Sequence, residues 1–191
     1  MPVISRDMAC LLLNIEIRLG IVIIYQVISF RKREPMANQF KIMSAVDLSR
    51  YSEATVLYSQ MLAKELNAEM VMVSVINQPE LDIVQRAMAG YGSFSFPDYL
   101  SEQRQERESR MQELFESGSP GTIRCQYLVQ QGVPYQEILK AIEKEKPNML
   151  VLSTKGRSNI ADVVMGSTAR KIFRRSPIPM VIIPAGYDVL P

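Results

Sequence analysis

Apolar and polar residues along the chain follow the pattern of strands that alternate with helices. The segments Lys41–Asp47 and Met70–Ile76 are apolar runs typical of strands, and the second is continuous enough for a strand buried on both faces. Between them, apolar residues recur at steps of three and four, which predicts an amphipathic helix with Gln60 on its solvent face. The residues predicted to face the core are Ala54, Leu57, Tyr58, Met61, Leu62 and Leu66.

The middle of the chain is less regular. Residues 77–97 end in a glycine-rich stretch and are predicted to form a long loop. The highly charged residues 98–117 are predicted to form a mostly solvated helix. After a Gly-Ser-Pro-Gly break, residues 122–129 alternate apolar and polar side chains, as a half-buried edge strand does. This part therefore adds one helix and one strand.

The last third of the chain continues the alternation. A helix is predicted after Pro134, an apolar strand at residues 148–153, a helix at Ser167–Arg175 and a fifth strand at residues 180–184. Strict alternation implies a mainly parallel, doubly wound five-stranded sheet with helices on both faces, a Rossmann-like α/β fold. With strand order 3-2-1-4-5, the order reverses between the first and fourth strands, where such sheets bind ligands at the carboxyl ends of the strands.

Residues 1–35 do not fit this scheme, and the globular domain is predicted to span residues 36–191. Residues 9–30 are apolar, but Glu16 and Arg18 interrupt them, and a charge in mid-membrane costs roughly 2.5 to 3.5 kcal/mol. No small-residue cleavage site follows, so a signal peptide is a poor match. Two interpretations stay open: a translated leader ahead of a true start at Met36, or a weakly membrane-associating helix whose basic flank stays in the cytoplasm.

Composition narrows the class of function. The formal net charge is +2, too small for a general nucleic-acid-binding surface. The two cysteines, Cys10 and Cys125, have neither metal-ligand spacing nor the number that a disulfide framework needs, which favours a cytoplasmic location. The chain has no histidine, and it therefore lacks the commonest metal ligand and the usual general base near neutral pH. A binding protein is predicted rather than an enzyme.

The loop after the fourth predicted strand carries the candidate chemistry. Gly166, Ser167 and Thr168 begin a helix, where unsatisfied N–H groups and hydroxyls suit a phosphate. Gly156 permits a tight turn before them. Asp47, at the end of the first strand, is predicted to face the same crevice and to accept hydrogen bonds from ribose hydroxyls. Each residue alone has a structural alternative, because glycine often turns the chain and Ser, Thr and Asp often cap helices.

Two cations, Lys155 and Arg157, flank Gly156 and are candidates for screening phosphate charge, although cations beside loops are most often simply solvated. Other nucleotide signatures are absent from the sequence. There is no GxxxxGK[ST] motif, and residues 89–92 lack the third glycine and the strand-to-helix setting of a dinucleotide fingerprint. A phospho-receiver domain has the same order of strands and helices, but it needs an aspartate after the third strand and a lysine after the fifth. This sequence has neither, which argues against a receiver domain.

The same loop has a defined spacing: Ser153, two residues, Gly156, nine residues, Gly166 and Ser167. GVPYQEIL opens the third helix, KGRSN lies in the loop, and SPIPMVIIP closes the domain. On these motifs, residues 40–184 resemble the universal stress protein family, specifically its ATP-binding branch. That branch has the pattern Gly, two residues, Gly, nine residues, Gly, then Ser or Thr, so Ser153 stands in place of its first glycine.

The resemblance implies a bound ATP, alone or with Mg²⁺, and assigns its contacts residue by residue. The residues around ribose and adenine would be Ala45, Val46, Asp47, Val75, Leu152 and Ser153. The residues around the phosphates would be Gly156, Gly166, Ser167 and Thr168. Arg157 is added to this predicted site on its charge and position in the loop, not on the resemblance.

The resemblance also implies an assembly and a function. The protein would be a cytoplasmic homodimer paired through its last strand, Met180–Ile183, with no nucleic-acid partner and with no membrane partner unless residues 1–35 provide one. It would act as a stress-response switch in which ATP changes its conformation or its choice of partner. Two alternatives stay open: a nucleotide-free interaction module of the same family and, in a different class, a slow ATPase.

Overall fold

A computed structural model describes residues 22–24, 39–90, 94–118, 120–157 and 165–187. The strands are β1 (Val22–Ile24), β2 (Lys41–Ala45), β3 (Glu69–Asn77), β4 (Cys125–Gly132), β5 (Met149–Ser153) and β6 (Met180–Ile183). The helices are α1 (Ser52–Glu65), α2 (Gln78–Met88), α3 (Phe96–Ser117), α4 (Pro134–Glu145) and α5 (Ser167–Phe173). Together they form one sheet with helices packed on both faces.

Five strands of the sheet are parallel and lie in the predicted order. The order across the described sheet is β1-β6-β5-β2-β3-β4, and β2 to β6 pair in parallel. With β2 counted as the first strand, this is the order 3-2-1-4-5, which confirms the predicted doubly wound fold. In the centre, Ile42 of β2 lies opposite Met70 on one side and Met149 on the other. The strand order therefore reverses between β2 and β5.

A short additional strand, β1, pairs antiparallel with β6 at the edge of the sheet. Its register places Val22 opposite Ile182 and Ile24 opposite Met180. This strand is not predicted from the sequence, and at these three residues the chain is extended rather than helical. The rest of residues 1–35, and with it the choice between leader and membrane-associating helix, lies outside the described residues. Within the described ranges, no helix is both long and apolar enough to cross a membrane.

The two faces of the sheet carry separate apolar cores. On one face, Met72 of β3 belongs to a buried cluster with Val56 of α1 and Met111 of α3. On the other face, Val73 of β3 belongs to a cluster with Ile172 of α5. Burying a side chain of this kind contributes about 1.5–3 kcal/mol. The core thus holds the strand ends, and the loops that leave them, in fixed positions.

The buried face of α1 differs from the predicted apolar stripe. Met61 and Leu66, predicted to face the core, are 43% and 44% exposed, whereas Gln60, predicted to face solvent, is 4% exposed. Gln60 turns inward because its side-chain Nε2 donates a 2.5 Å hydrogen bond to the carbonyl of Phe115 near the end of α3. Ser59 is also buried and donates to a carbonyl one turn earlier at 2.7 Å. Polar residues with partners therefore form part of this buried face.

The prediction of a long loop at residues 77–97 is wrong, because Gln78–Met88 form helix α2. Pro79 lies in its first turn, where the N–H that proline lacks would have no helical partner anyway. Leu81 is the one buried residue of this helix, and a single buried side chain leaves almost no periodic signal. The charged helix predicted at residues 98–117 is confirmed as α3.

Candidate functional site

A cavity of about 280 Å³ opens at the carboxyl edge of the sheet, where the strand order reverses between β2 and β5. Its walls come from the ends of β2, β3 and β5, from the starts of α2, α4 and α5, and from the loop after β5. The structure brings together here the eleven residues that the sequence analysis assigns to a nucleotide site, although their contacts with a ligand stay a prediction. They are Ala45, Val46, Asp47, Val75, Leu152, Ser153, Gly156, Arg157, Gly166, Ser167 and Thr168.

The floor of the cavity is apolar. Val75 of β3, Ile138 of α4 and Leu152 of β5 line it and are 6%, 6% and 4% exposed. Small-molecule sites commonly have such a floor with a few polar groups around it, and their volumes run from roughly 300 to 1,000 Å³. The cavity lies just below the small end of that range. It therefore offers an apolar surface for a flat ring system rather than a large enclosed chamber.

Asp47 lies just beyond the end of β2 with both carboxylate oxygens engaged. Oδ1 accepts from the backbone N–H of Ser49 at 3.0 Å and from the hydroxyl of Ser52 at 3.3 Å. Oδ2 accepts from the backbone N–H of Arg157 at 2.8 Å. Leu48 follows with φ 62°, a left-handed conformation that a bulky residue rarely adopts. Asp47 therefore orders the turn before α1 and also holds the loop after β5 against the end of β2.

The close approach of this loop to Asp47 depends on the absence of a side chain at Gly156. A Cβ at this position would lie 2.3 Å from Asp47 Oδ2, which is far inside van der Waals contact. Any other residue would displace either the carboxylate or the loop. Gly166 is less constrained, because its φ is −59° and a Cβ there would lie 3.3 Å from the carbonyl oxygen of Thr154.

Helix α5 begins beside the cavity, and its first two residues provide hydrogen-bond donors there. The N–H of Gly166 donates to the carbonyl of Thr154 at 2.7 Å, so this group is engaged within the protein. Ser167 and Thr168 form the first turn of α5, where backbone N–H groups have no acceptor within the helix. Both residues line the cavity. Their N–H and hydroxyl groups are therefore the donors that this side of the cavity offers to an anion.

Ser153, which replaces the first glycine of the family pattern, ends β5 at the cavity wall. Its hydroxyl donates a hydrogen bond to the backbone carbonyl of Lys155, two residues further along. The hydroxyl is therefore engaged in closing the local turn that leads to Gly156. This contact gives the serine a structural role in shaping the loop.

Charged groups of both signs meet at the rim of the cavity. Arg157 donates from Nη1 and Nη2 to the two carboxylate oxygens of Glu80, each at 2.9 Å. The side-chain Nδ2 of Asn77 donates to the same carboxylate at 3.2 Å. Burial raises the pKa of Glu80, but the hydrogen bonds from Arg157 and Asn77 outweigh burial and hold this pKa below its ordinary value. Glu80 is therefore held in its ionised form.

Part of this arrangement could not be predicted from the sequence. Asn77 and Glu80 fall in the segment predicted as a loop, and a correct prediction of α2 would have placed Glu80 in its first turn, beside a strand end. Arg107 lies on α3, the helix that is predicted to be mostly solvated, but its Nη1 donates to the hydroxyl of Ser74 at 3.1 Å. Burial and the nearby Arg157 both lower the pKa of Arg107. No local sequence signal identifies that contact.

A doubly wound parallel sheet with a glycine-bordered cavity where the strand order reverses defines this protein as a Rossmann-like α/β fold, and in such folds ligands bind at that position. Residues 40–184 match the model of the Universal stress protein family, and the chain belongs to that family. A universal stress protein of Methanocaldococcus jannaschii is 23% identical over 144 residues, which cover 75% of this chain and 81% of the relative. Membership in the ATP-binding branch stays a prediction.

Solved structures with the same fold include nucleotide complexes. The M. jannaschii protein MJ0577 has a TM-score of 0.66 at 17% identity, with 78% of this chain and 98% of that chain covered. A universal stress protein in complex with cAMP has a TM-score of 0.52 at 19% identity, with 75% and 95% covered. One from Archaeoglobus fulgidus in complex with dAMP has a TM-score of 0.52 at 13% identity, with 78% and 99% covered. At these identities the likeness establishes the fold alone.

Proposed function

We propose that this protein binds ATP in the cavity between β2 and β5 and acts as a stress-response switch whose conformation or choice of partner follows nucleotide binding. The observation that carries the proposal is the convergence of complementary groups on one cavity. An apolar floor, a carboxylate beyond the end of β2 and the first-turn donors of α5 all line it. The cAMP and dAMP complexes of proteins with this fold support an adenine nucleotide as the class of ligand.

The parts of the cavity match the parts of a nucleotide. Adenine would cover the apolar floor at Val75 and Leu152, where buried apolar surface contributes about 25 cal/mol per Å². The ribose hydroxyls would donate to Asp47, and the phosphates would lie against Ser167 and Thr168. Mg²⁺ usually keeps several waters and binds through substrate phosphates and one or two carboxylates. Both oxygens of Glu80 are engaged by Arg157, so Asp47 would provide the carboxylate here. The chain therefore has residues for each part of the ligand.

We further propose a binding role rather than a catalytic one. The chain contains no histidine. The carboxylates that line the cavity among the described residues are Asp47 and Glu80. Asp47 already accepts hydrogen bonds from the backbone N–H groups of Ser49 and Arg157. The hydrogen bonds from Arg157 and Asn77 hold the pKa of Glu80 below its ordinary value and so weaken Glu80 as a proton acceptor. This arrangement favours a nucleotide that stays bound and changes the surface of the protein.

Thermal unfolding of the purified full-length chain tests the proposed function. ATP at about one hundred times its dissociation constant should raise the unfolding midpoint by roughly 5–10 °C for a protein of this size. Asp47→Ala and Gly166→Val should reduce that shift, whereas Asp82→Asn, on the exposed side of α2, should retain it. No shift in the wild type would overturn ATP binding and favour a nucleotide-free module. Steady release of phosphate would favour the slow ATPase.

A further inference from the structure

We infer that Glu80 and Arg157 form a clasp over the nucleotide cavity, which opens to admit or release the ligand and so sets the rate of exchange. This inference rests on the proposed function, because it concerns the same cavity. It adds Glu80 to the residues that control the site and gives Arg157 a role other than phosphate screening.

The clasp joins elements that are far apart in the sequence. Glu80 stands in the first turn of α2, directly after β3, and Arg157 stands in the loop after β5. The two parallel hydrogen bonds of 2.9 Å between them form a bidentate pair. Such a pair fixes direction as well as distance, because the planar guanidinium matches the two oxygens of a carboxylate. The pair therefore spans from one side of the cavity to the other.

The exposure of the pair places it on the solvent side of the cavity. The side chains of Arg157 and Glu80 are 43% and 48% exposed, and both line the cavity. The floor residues Val75 and Leu152 are 6% and 4% exposed. A nucleotide whose base covers the floor therefore passes the pair on its way in and lies beneath it once bound.

The neighbours of the pair allow it to open without disturbing the rest of the site. The backbone N–H of Arg157 donates to Asp47, so the loop stays attached when the guanidinium swings away. Asn77 still donates to Glu80, and the positive charge of Arg107 lies close enough to attract the same carboxylate. The Glu80 carboxylate thus keeps stabilising partners in the open state. Exposed ion pairs are weak, so opening is a frequent event rather than a rare one.

Exchange kinetics of a fluorescent nucleotide test the clasp. The full-length protein is loaded with 2-aminopurine riboside triphosphate, a fluorescent analogue whose ribose and phosphates are unmodified, and its release after a chase with excess ATP is followed by stopped-flow fluorescence. Glu80→Gln keeps the shape of the side chain but removes the ion pair. It should raise the dissociation rate about two- to fivefold, the range that one exposed ion pair supports, and the association rate by a similar factor.

Two further variants separate a clasp from a general charge effect. Asp82→Asn removes the same charge from the same helix without touching the pair and should leave both rates unchanged. The double variant Glu80→Gln with Arg157→Gln should release nucleotide no faster than Glu80→Gln alone, because both changes break the same contact. Agreement with all three expectations supports the clasp.

The failures of the clasp and of the proposed function are distinguishable. If the wild type binds the fluorescent nucleotide but Glu80→Gln releases it at the wild-type rate, the clasp is wrong and the binding site stands. If Glu80→Gln and Asp82→Asn change the rates equally, the effect is electrostatic and the clasp is again overturned. If the wild type binds no nucleotide, the proposed function fails and the clasp fails with it.

Discussion

At the scale of single residues, Gly156 and Asp47 depend on each other. The loop backbone passes so near the carboxylate that a Cβ at Gly156 would lie 2.3 Å from Asp47 Oδ2. The same proximity allows Oδ2 to accept from the N–H of Arg157 at 2.8 Å. Gly156, which the sequence predicts to lie near a phosphate, is thus also needed for a contact within the protein. A larger residue at this position is therefore expected to weaken both the fold and the binding site.

We expect Gly156→Ala to weaken both the fold and the site. The displaced Asp47 carboxylate would lose its hydrogen bond from Arg157, and hydrogen bonds to charged groups contribute about 1.5–3 kcal/mol. Urea unfolding should show a fall of that order in the free energy of unfolding, and ATP affinity should fall about tenfold or more. Gly90→Ala is the matched control, because no atom lies within 4 Å of a Cβ there. If the two variants had the same free energy of unfolding and the same ATP affinity, the close contact between Gly156 and Asp47 would not matter for the fold or the site.

At the scale of elements, the strength of the sequence signal follows the number of buried side chains. In β3, all seven residues from Met70 to Ile76 are buried, so the strand is evident from its apolar run. Helix α2 buries Leu81 alone, between a proline and two glycines, and the same reasoning predicts a loop. Glu80 lies on that helix, so the clasp could not be predicted.

Some contacts join residues that are far apart in the sequence and cannot be predicted from the local pattern of residues. Gln60 is polar and is therefore predicted to face solvent, but its acceptor is a carbonyl 55 residues away in α3. The residues of the candidate site were easier to predict, because the spacing from Ser153 to Ser167 is a local motif. Spacing cannot show, however, that the hydroxyl of Ser153 donates to the carbonyl of Lys155.

We expect Gln60→Ala to loosen the packing of α3 on α1. The substitution leaves the Phe115 carbonyl without its side-chain donor, and an unsatisfied buried polar group costs about 1–3 kcal/mol. The free energy of unfolding in urea should fall by at least that order, because a cavity forms as well. Gln112→Ala, on the exposed face of α3, should change it by less than about 0.5 kcal/mol. A neutral Gln60→Ala would show that the contact does not hold the two helices together.

At the scale of the whole molecule, the edge of the sheet at β6 has two candidate neighbours. We propose that the protein forms a homodimer through Met180–Ile183, as the sequence analysis predicts. In the structure, β5 pairs with one side of β6 and β1 pairs with the other. A strand offers one set of hydrogen-bonding groups on each side. A second copy therefore gains access to β6 only when β1 leaves it.

We expect Ile23→Pro to increase the fraction of dimer. Ile23 is the middle residue of β1, opposite Val181, and a proline there cannot donate to a strand ladder. Light scattering coupled to size-exclusion chromatography, over a range of protein concentrations, would measure the mass. Ile23→Val keeps the strand and should behave as the wild type does. If Ile23→Pro and the wild type have the same mass at every concentration, β1 does not control dimerisation.

The walls of the cavity come from residues that are far apart in the sequence, from Ala45 to Ala169. The central strand β2 completes its hydrogen bonding only when β5 arrives, with Ile42 opposite Met149. During synthesis, a nascent chain can therefore pair β2 with β3 long before it can enclose a ligand. The proposed binding site is complete only after α5 has left the ribosome, and a chain that ends before Ser167 would retain β2 to β5 but lack the wall of the cavity that α5 provides.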